Sequence, residues 1–446
     1  MRKLPKRKGV SLGTLLMLSM TGLLIAACGW LFPRLLGDVD FQFDATQLAV
    51  AFTTPVPASS GALLLSDTLA DTAGDPLLFS PAPASQPAAT PPPSRLSLRL
   101  TAAGSVQLDN AIQKAMTTDA GYQFTDLFSP LQGEVNADLA IVTLANTAIS
   151  TEKLTDINVP TDVLSALRSV GFSAVHTGFP GILSSGLRGL SATQEAIRAE
   201  GMTAYGAFAS MAQRGSVSLF NANGISVALL SYQSELTNAS KRSTTTEEQA
   251  FAIALPTLPE ITADITDARA AGAQVVVVSL HWGKKGSTSP TQDQRELAQG
   301  IANAGADVIL GTGSGVVQPI ELLTASRAGG QASQTLCAYS LGNLFTNDRS
   351  KRVNISGVLL HANITLDPAT NQTSFDAISY TPTYVWRGKI DNRTTYAVFP
   401  SDLPPPDYMQ TEQIKVMARS LELIAAVMNE PNVPRRTPGG DFAVAQ

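Results

Sequence analysis

The chain offers few side chains for chemistry. It holds only three histidines (His176, His281, His361) and two cysteines (Cys28, Cys337). That count excludes a cysteine-based zinc site or a disulfide framework, apart from a single Cys28–Cys337 pair. The densest group of candidates lies in residues 274–318. His281-Trp282-Gly283 follows one apolar run there, with Lys284 and Lys285 next, and Gly311-Thr312-Gly313-Ser314-Gly315 follows another. Small residues after a strand can present backbone N–H groups to an anion. The loop lacks the Gly-Lys-Ser/Thr ending of a P-loop and the G-x-G-x-x-G spacing of a dinucleotide fold. Its bland alternative is close packing. Lys284 and Lys285 favour an anionic ligand if they face the same cleft, and otherwise form a solvated surface. Ser105 and Ser340 would be nucleophiles beside His281, yet no G-x-S-x-G elbow is present. An improvised metal site would draw on Asp109, His176 and His281. The competing reading makes His176 a strand residue bonded to backbone and His361 structural.

The elements that must position these groups are legible from periodicity. Residues 274–280 and 307–310 are continuous apolar runs separated by a helical segment at 292–304. That pattern predicts parallel strands buried on both faces. In such sheets chemistry collects at the carboxyl ends of the strands, where His281 and the Gly311–Gly315 loop stand. Residues 137–146 read as a further buried strand, 162–170 and 259–271 as helices, and 96–104 as a strand feeding a turn. Asn223-Gly224 predicts a hairpin within 215–234. The polar stretch 235–250 reads as a loop, a candidate for the site rim. Residues 355–366 and 376–399 read as strands. Ile414, Met417, Leu421, Ile424 and Met428 recur at helical spacing, predicting an amphipathic helix packed on the core. Residues 431–446 read as a mobile tail.

Five sequence words carry a family resemblance. They are SLHWG (279–283), P-x₃-Q-x₂-LA (290–298), AGADVILG (304–311), VVQPIE (316–321) and YSLGN (339–343). With them the chain resembles the bacterial capsule-synthesis (CapA, poly-γ-glutamate synthesis) family. The resemblance implies an α/β fold of calcineurin-like metallophosphatase type, a layered αββα sandwich over residues 96–402. It also implies a site built on divalent metal ions. The implied ligand positions hold other residues here: Ser105 for Asp, Thr143 and Ala145 for Asn and Glu, and Phe179-Pro180-Gly181 for Asn-Asn-His. The loop histidines give way to Gly311–Gly315, with Thr312 and Gly315 at ligand places. His281 and Asn343 are retained, and they are the catalytic candidates; Gly311, Thr312, Gly313, Ser314, Gly315 and Trp282 are candidate ligand-binding residues.

A two-metal hydrolase needs several anionic or imidazole ligands, and one neutral imidazole cannot hold two dications. The expectation is therefore no metal cofactor and a catalytically silenced binding or scaffolding module in capsule or poly-γ-glutamate assembly. The alternatives are an active hydrolase or amide ligase/transferase with a rebuilt site, and a structural subunit of a membrane polymer synthase. Expected partners are an anionic cell-envelope polymer or synthase subunits. The net charge of −5 gives no reason to expect nucleic acid.

The remaining organisation is read from composition. Residues 1–9 carry Arg2, Lys3, Lys6, Arg7 and Lys8, and 10–32 run without a charge. That length suffices for a bilayer core of ~30 Å, and the basic flank puts the N-terminus inside and the rest outside. Ile25-Ala26-Ala27-Cys28 supplies the alternative, a lipoprotein anchored through Cys28. Residues 33–95 form a Pro/Ala/Ser-rich spacer. The family-like domain follows over 96–402, with the C-terminal helix and tail over 403–446.

Overall fold

The computed structural model describes residues 95–149, 155–327, 332–428 and 433–436. The anchor at 10–32, the spacer through residue 94 and most of the tail lie outside the described residues. Among the described residues no helix is long and apolar enough to cross a membrane.

Two sheets dominate. The strands that build them, in chain order, are β1 (Leu96–Val106), β2 (Leu139–Leu144), β3 (Ala174–His176), β4 (Thr203–Tyr205), β5 (Leu219–Ala222), β6 (Ile225–Gln233) and β7 (Val275–His281). They continue with β8 (Val308–Thr312), β9 (Ile320–Ser326), β10 (Ala332–Ala338), β11 (Asn343–Phe345), β12 (Ser356–Asp367), β13 (Gln372–Ile390) and β14 (Arg393–Pro400). The first sheet has the order β14-β13-β12-β1-β2-β3-β4, with β11 paired parallel to the end of β1. The second runs β9-β10-β8-β7-β6-β5. Strands β1 to β4 are mutually parallel, as are β6, β7, β8 and β10. Each sheet thus gathers several carboxyl ends along one edge.

Alternation along the strands decides the layering. Leu98, Leu100, Leu139 and Ile141 of the first sheet meet Val227, Leu229, Val275, Val277 and Leu310 of the second in one buried cluster. The intervening residues face outward under helices. Val276, Val278 and Ile309 pack against Ile261 and Ile265 of helix Leu258–Ala270 and Ala298 and Ile301 of helix Gln292–Ala304. Val142 and Val175 lie with Leu164 and Leu167 of helix Asp162–Ser169 and Ile197 of helix Gly186–Ala199. The result is helix, sheet, sheet, helix. Burying each such aliphatic side chain contributes about 1.5–3 kcal/mol, which explains why the runs are continuous rather than alternating.

Three elements differ from the sequence reading. Residues 235–250 hold two short helices, Asn238–Ser243 and Thr246–Ala252. Thr237 and Thr245 cap them, and Thr245 forms a reciprocal capping box with Glu248. The stretch 376–399 is two strands, because Asp391 and Asn392 both adopt positive φ (50° and 63°) and turn the chain back. Within the tail, 433–436 is held rather than mobile. β14 stops pairing at Thr383, and past that point Tyr380 N–H donates to the Pro434 carbonyl while Arg436 N–H donates to the Tyr380 carbonyl. Helix Thr411–Met428 packs on the core through Met417, Ile424 and Met428, as its spacing predicts.

One short segment joins the two sheets. The chain leaves β10 at Ala338 and enters β11 at Asn343, so residues 339–342 cross from the second sheet to the first. Leu341 N–H donates to the Gly311 carbonyl, and Val358 N–H donates to the Leu341 carbonyl. Ser105 N–H donates to the Gly342 carbonyl at 3.1 Å. A Cβ at Gly104 would stand 2.1 Å from that same oxygen, so the approach requires glycine. Gly104→Ala is therefore expected to lower unfolding free energy by about 1–3 kcal/mol, the usual range for overpacking. Urea denaturation followed by far-UV circular dichroism measures it, and an unchanged midpoint would refute the close-approach argument.

Candidate functional site

The carboxyl ends of the parallel strands open into a cleft of about 960 Å³. Ser105, Ala145, Gly181, His281, Trp282, Gly313, Ser314, Gly315 and Asn343 all line it. The fold thus brings together positions from six separate stretches of chain. Gly311 and Thr312 lie deeper, fully or almost fully buried. A Cβ at Gly311 would fall 1.9 Å from the Tyr339 carbonyl oxygen and 2.6 Å from Trp282 Nε1. Gly311 is there to let the indole in.

The wall residues are fixed by a polar clamp. Trp282 Nε1–H donates to the Tyr339 carbonyl at 2.9 Å, and the two rings stack. Ser314 Oγ–H donates to Ser340 Oγ at 2.9 Å, which turns its hydroxyl away from the cleft and leaves backbone at the wall. Asn343 Nδ2 donates to the Gly315 carbonyl at 2.7 Å and to the Asn354 carbonyl at 2.9 Å. Asn343 therefore positions the glycine loop. Gln294 Nε2 donates to Gln318 Oε1 at 3.2 Å, and Gln318 Nε2 donates to the carbonyls of Ser287 and Ser289. Those bonds pin the loop that carries Lys284 and Lys285. Both lysines line the cleft, joined by Lys351, with Asp156, Glu235 and Asp348 as the acids. Hydrogen bonds from Ser350 hold the Asp348 carboxyl below its ordinary value, helped by the Lys285 charge.

Beneath the cleft, a polar row replaces the apolar seam between the sheets. His176 is 1% exposed. Its Nδ1 lies 3.1 Å from Thr143 Oγ1 and its Nε2 lies 2.6 Å from Ser231 Oγ. Its partners are hydroxyls of both sheets rather than the backbone expected from sequence. The Tyr205 hydroxyl meets Ser279 Oγ at 2.9 Å. His281 ends β7 with Nδ1 3.4 Å from Thr312 Oγ1. Burial strips water from both imidazoles, pulling His176 down to about 3, with the His281 charge adding to the effect, and His281 down to about 4. Both rings are neutral at physiological pH. His361 is structural, bonded to Thr101 Oγ1 and Thr381 Oγ1 within the first sheet.

These residues do not fit a divalent metal centre. Asp109 caps the helix Asn110–Ala115 through Ile112 N–H and accepts from Asn347, so it does not join His176 and His281. Among the described residues no group of three or more His, Cys, Asp and Glu side chains stands close enough to hold a metal ion. Hydroxyls, an alanine and glycines occupy the wall where carboxylates and imidazoles would be needed.

Sequence reading missed several contributors. Lys351 and Asp348 lie between Asn343 and the strand at 355–366, in a stretch to which the sequence reading assigned nothing. Gln233 shows a signal in retrospect. Ile225, Val227, Leu229 and Ser231 mark every second residue as facing the seam, and Gln233 is the next in that series.

A family model described as bacterial capsule synthesis protein PGA_cap matches residues 99–348. The PGA biosynthesis protein CapA of Bacillus subtilis (strain 168) is 26% identical over 181 residues, covering 40% of this chain and 44% of that protein. The capsule biosynthesis protein CapA of Bacillus anthracis is 24% identical over 184 residues, covering 41% and 42%. The match thus spans less than half the length of either relative. Among solved structures, a putative 5'-nucleotidase from Staphylococcus aureus aligns with a TM-score of 0.41 at 11% identity, covering 73% of this chain and 58% of that one. The calcineurin-like phosphoesterase YfkN from Bacillus subtilis aligns at 0.35 and 10%, covering 74% and 99%. Likenesses that distant carry no argument about activity.

The neutral histidines make a pH prediction. Between the folded values and the ordinary 6.5, the unfolded chain binds protons that the folded chain refuses. Stability contributed by the neutral rings is present above pH 6.5 and is lost as pH falls toward about 4. Imidazole ring protons followed by NMR are expected not to titrate down to about pH 5. A midpoint near 6.5 for His176 would contradict its burial.

Proposed function

The chain belongs to the bacterial capsule synthesis protein PGA_cap family, and from that premise we propose that it is a metal-free polymer-binding module. In this reading a calcineurin-like metallophosphatase-type scaffold has lost its chemistry and kept its cleft. The module sits outside the cytoplasm, tethered by residues 10–32 or by a lipid on Cys28. It engages the anionic, amide-linked capsule polymer, poly-γ-glutamate or a relative of it.

The observation that carries the proposal is the state of the cleft. Ser105, Ala145, Gly181, Thr312 and Gly315 stand where the family resemblance implies metal ligands. Yet the clamp residues Tyr339, Ser340, Asn343, Gln294 and Gln318 still hold the walls in place. A cleft maintained without ligands suits binding better than hydrolysis. Lys284, Lys285 and Lys351 at the rim suit a polycarboxylate.

Elemental analysis of the purified full chain is expected to find no stoichiometric manganese, zinc or iron, and a phosphodiesterase assay with added manganese no turnover. Binding of poly-γ-glutamate is expected, weakening with salt. Near two bound ions, with turnover lost in His281→Ala, would overturn the proposal and make the protein an enzyme.

A further inference from the structure

Among the described residues, every arginine withdrawn from solvent but one rests on a carboxylate. Arg99 pairs with Asp138, Arg214 with Glu260 and Asp264, Arg269 and Arg327 with Asp307, and Arg436 with Glu134. Arg349 is the exception, half-buried and in ion-pair reach of no described acid. Its Nη2 donates to the Val385 carbonyl at 3.1 Å. Its Nε is sealed from solvent without a partner, whereas Nη1, bonded to no described residue, is open to solvent. The residue sits between Asp348 and Ser350, which line the cleft. Arg349 turns the other way and reaches β13 just past Tyr384, where β12 stops pairing with it.

The surroundings add charge to this guanidinium rather than cancel it. Burial pulls Arg349 below its ordinary value, and the Arg387 charge works in the same direction, opposed by the Tyr384 and Tyr396 phenols. Arg387 stands two residues beyond Val385, on the same side of the strand and roughly 7 Å along it. It is exposed, and its guanidinium lies 5.8 Å from the centre of the ring of Tyr396, its register partner on β14. That stacking holds the charge over an aromatic face. The Tyr384 hydroxyl lies against Arg349. Two guanidinium groups and a phenol thus come together with no described acid among them. A partly desolvated charge costs free energy unless an opposite charge meets it, and a like charge nearby adds to that cost.

We propose that Arg349 and Arg387, with the Tyr384 hydroxyl, bind a phosphoryl dianion on the back of the loop that lines the cleft. Two positive charges match a group carrying close to two negative ones, whereas a single carboxylate would leave one arginine uncompensated. A tetrahedral group also offers a separate oxygen to each of three donors. The open Nη1 and the exposed Arg387 give the ion its way in, and the sealed Nε takes no part. The group is either free phosphate or a phosphoryl ester on a larger molecule, since both present the same oxygens. None of the three residues lines the cleft, so the site stands apart from polymer binding.

The test is calorimetry on the full chain in detergent at fixed ionic strength and about pH 8, where phosphate is mostly dianionic. The ligands are inorganic phosphate, glycerol 3-phosphate and acetate. Saturable binding of phosphate or its ester, roughly tenfold tighter than acetate, is expected. Tighter binding of the free ion supports inorganic phosphate as the occupant, and tighter binding of the ester supports a phosphoryl-bearing molecule. Arg387→Gln, at an exposed position, is expected to weaken binding roughly tenfold and leave the melting temperature in acetate buffer unchanged. Arg349→Met is expected to weaken it as much and to keep or raise that melting temperature, because an unpaired, partly buried charge is removed. If Arg349→Met instead melts earlier, Arg387→Gln decides alone. No saturable binding, binding no tighter than acetate, or binding that survives both variants would overturn the proposal, the last by placing the ion at the cleft lysines.

Discussion

The crossing at residues 339–342 is the constraint on which the cleft depends. One strand of the second sheet hands the chain directly to the first, so the two sheets cannot drift apart at their carboxyl ends. Every residue of the crossing contributes. Tyr339 stacks on Trp282, Ser340 holds Ser314, and Leu341 enters the apolar seam. Gly342 turns at φ 70° against the backbone of Ser356 and Val317. Asn343 then ties down the glycine loop. Backbone packed this closely leaves no room for side chains, and glycine appears on both sides of it.

Where a metal centre would need carboxylates and imidazoles, the protein has put a hydroxyl network. Thr143, His176 and Ser231 are mutually satisfied across the two sheets, as are Tyr205 and Ser279. Such a network has no net charge, so its burial needs no counter-ion, and full pairing makes it a rigid spacer. Small residues at the wall keep the volume open. Hydrogen bonds make this part of the cleft rigid.

Charge is kept at the rim and excluded from the floor. The three lysines and three acids of the lining are exposed, where salt screens their interactions. The neutral, buried His176 lies between the sheets, where short, directional bonds are strong.

The sequence by itself determined the strands and helices whose signal is local. The apolar runs at 274–280 and 307–310, the helix at 292–304 and the Asn223-Gly224 hairpin are all written in neighbouring residues. It also showed that Ala145, Gly181 and Gly315 bring no ligating side chain to positions where the family resemblance implies one. It misread 235–250 because a capping box on a polar surface helix leaves little hydrophobic period, and 376–399 because two strands joined by a tight Asp-Asn turn look continuous. Only the tertiary structure decided who faces whom. Residues 233 and 281 become neighbours through strand register, 176 and 231 through sheet packing, and Tyr380 finds Pro434 and Arg436 because a strand edge there lacks another partner strand. These are contacts between residues far apart in the chain, made when apolar faces close on each other, and periodicity within one segment holds no record of them.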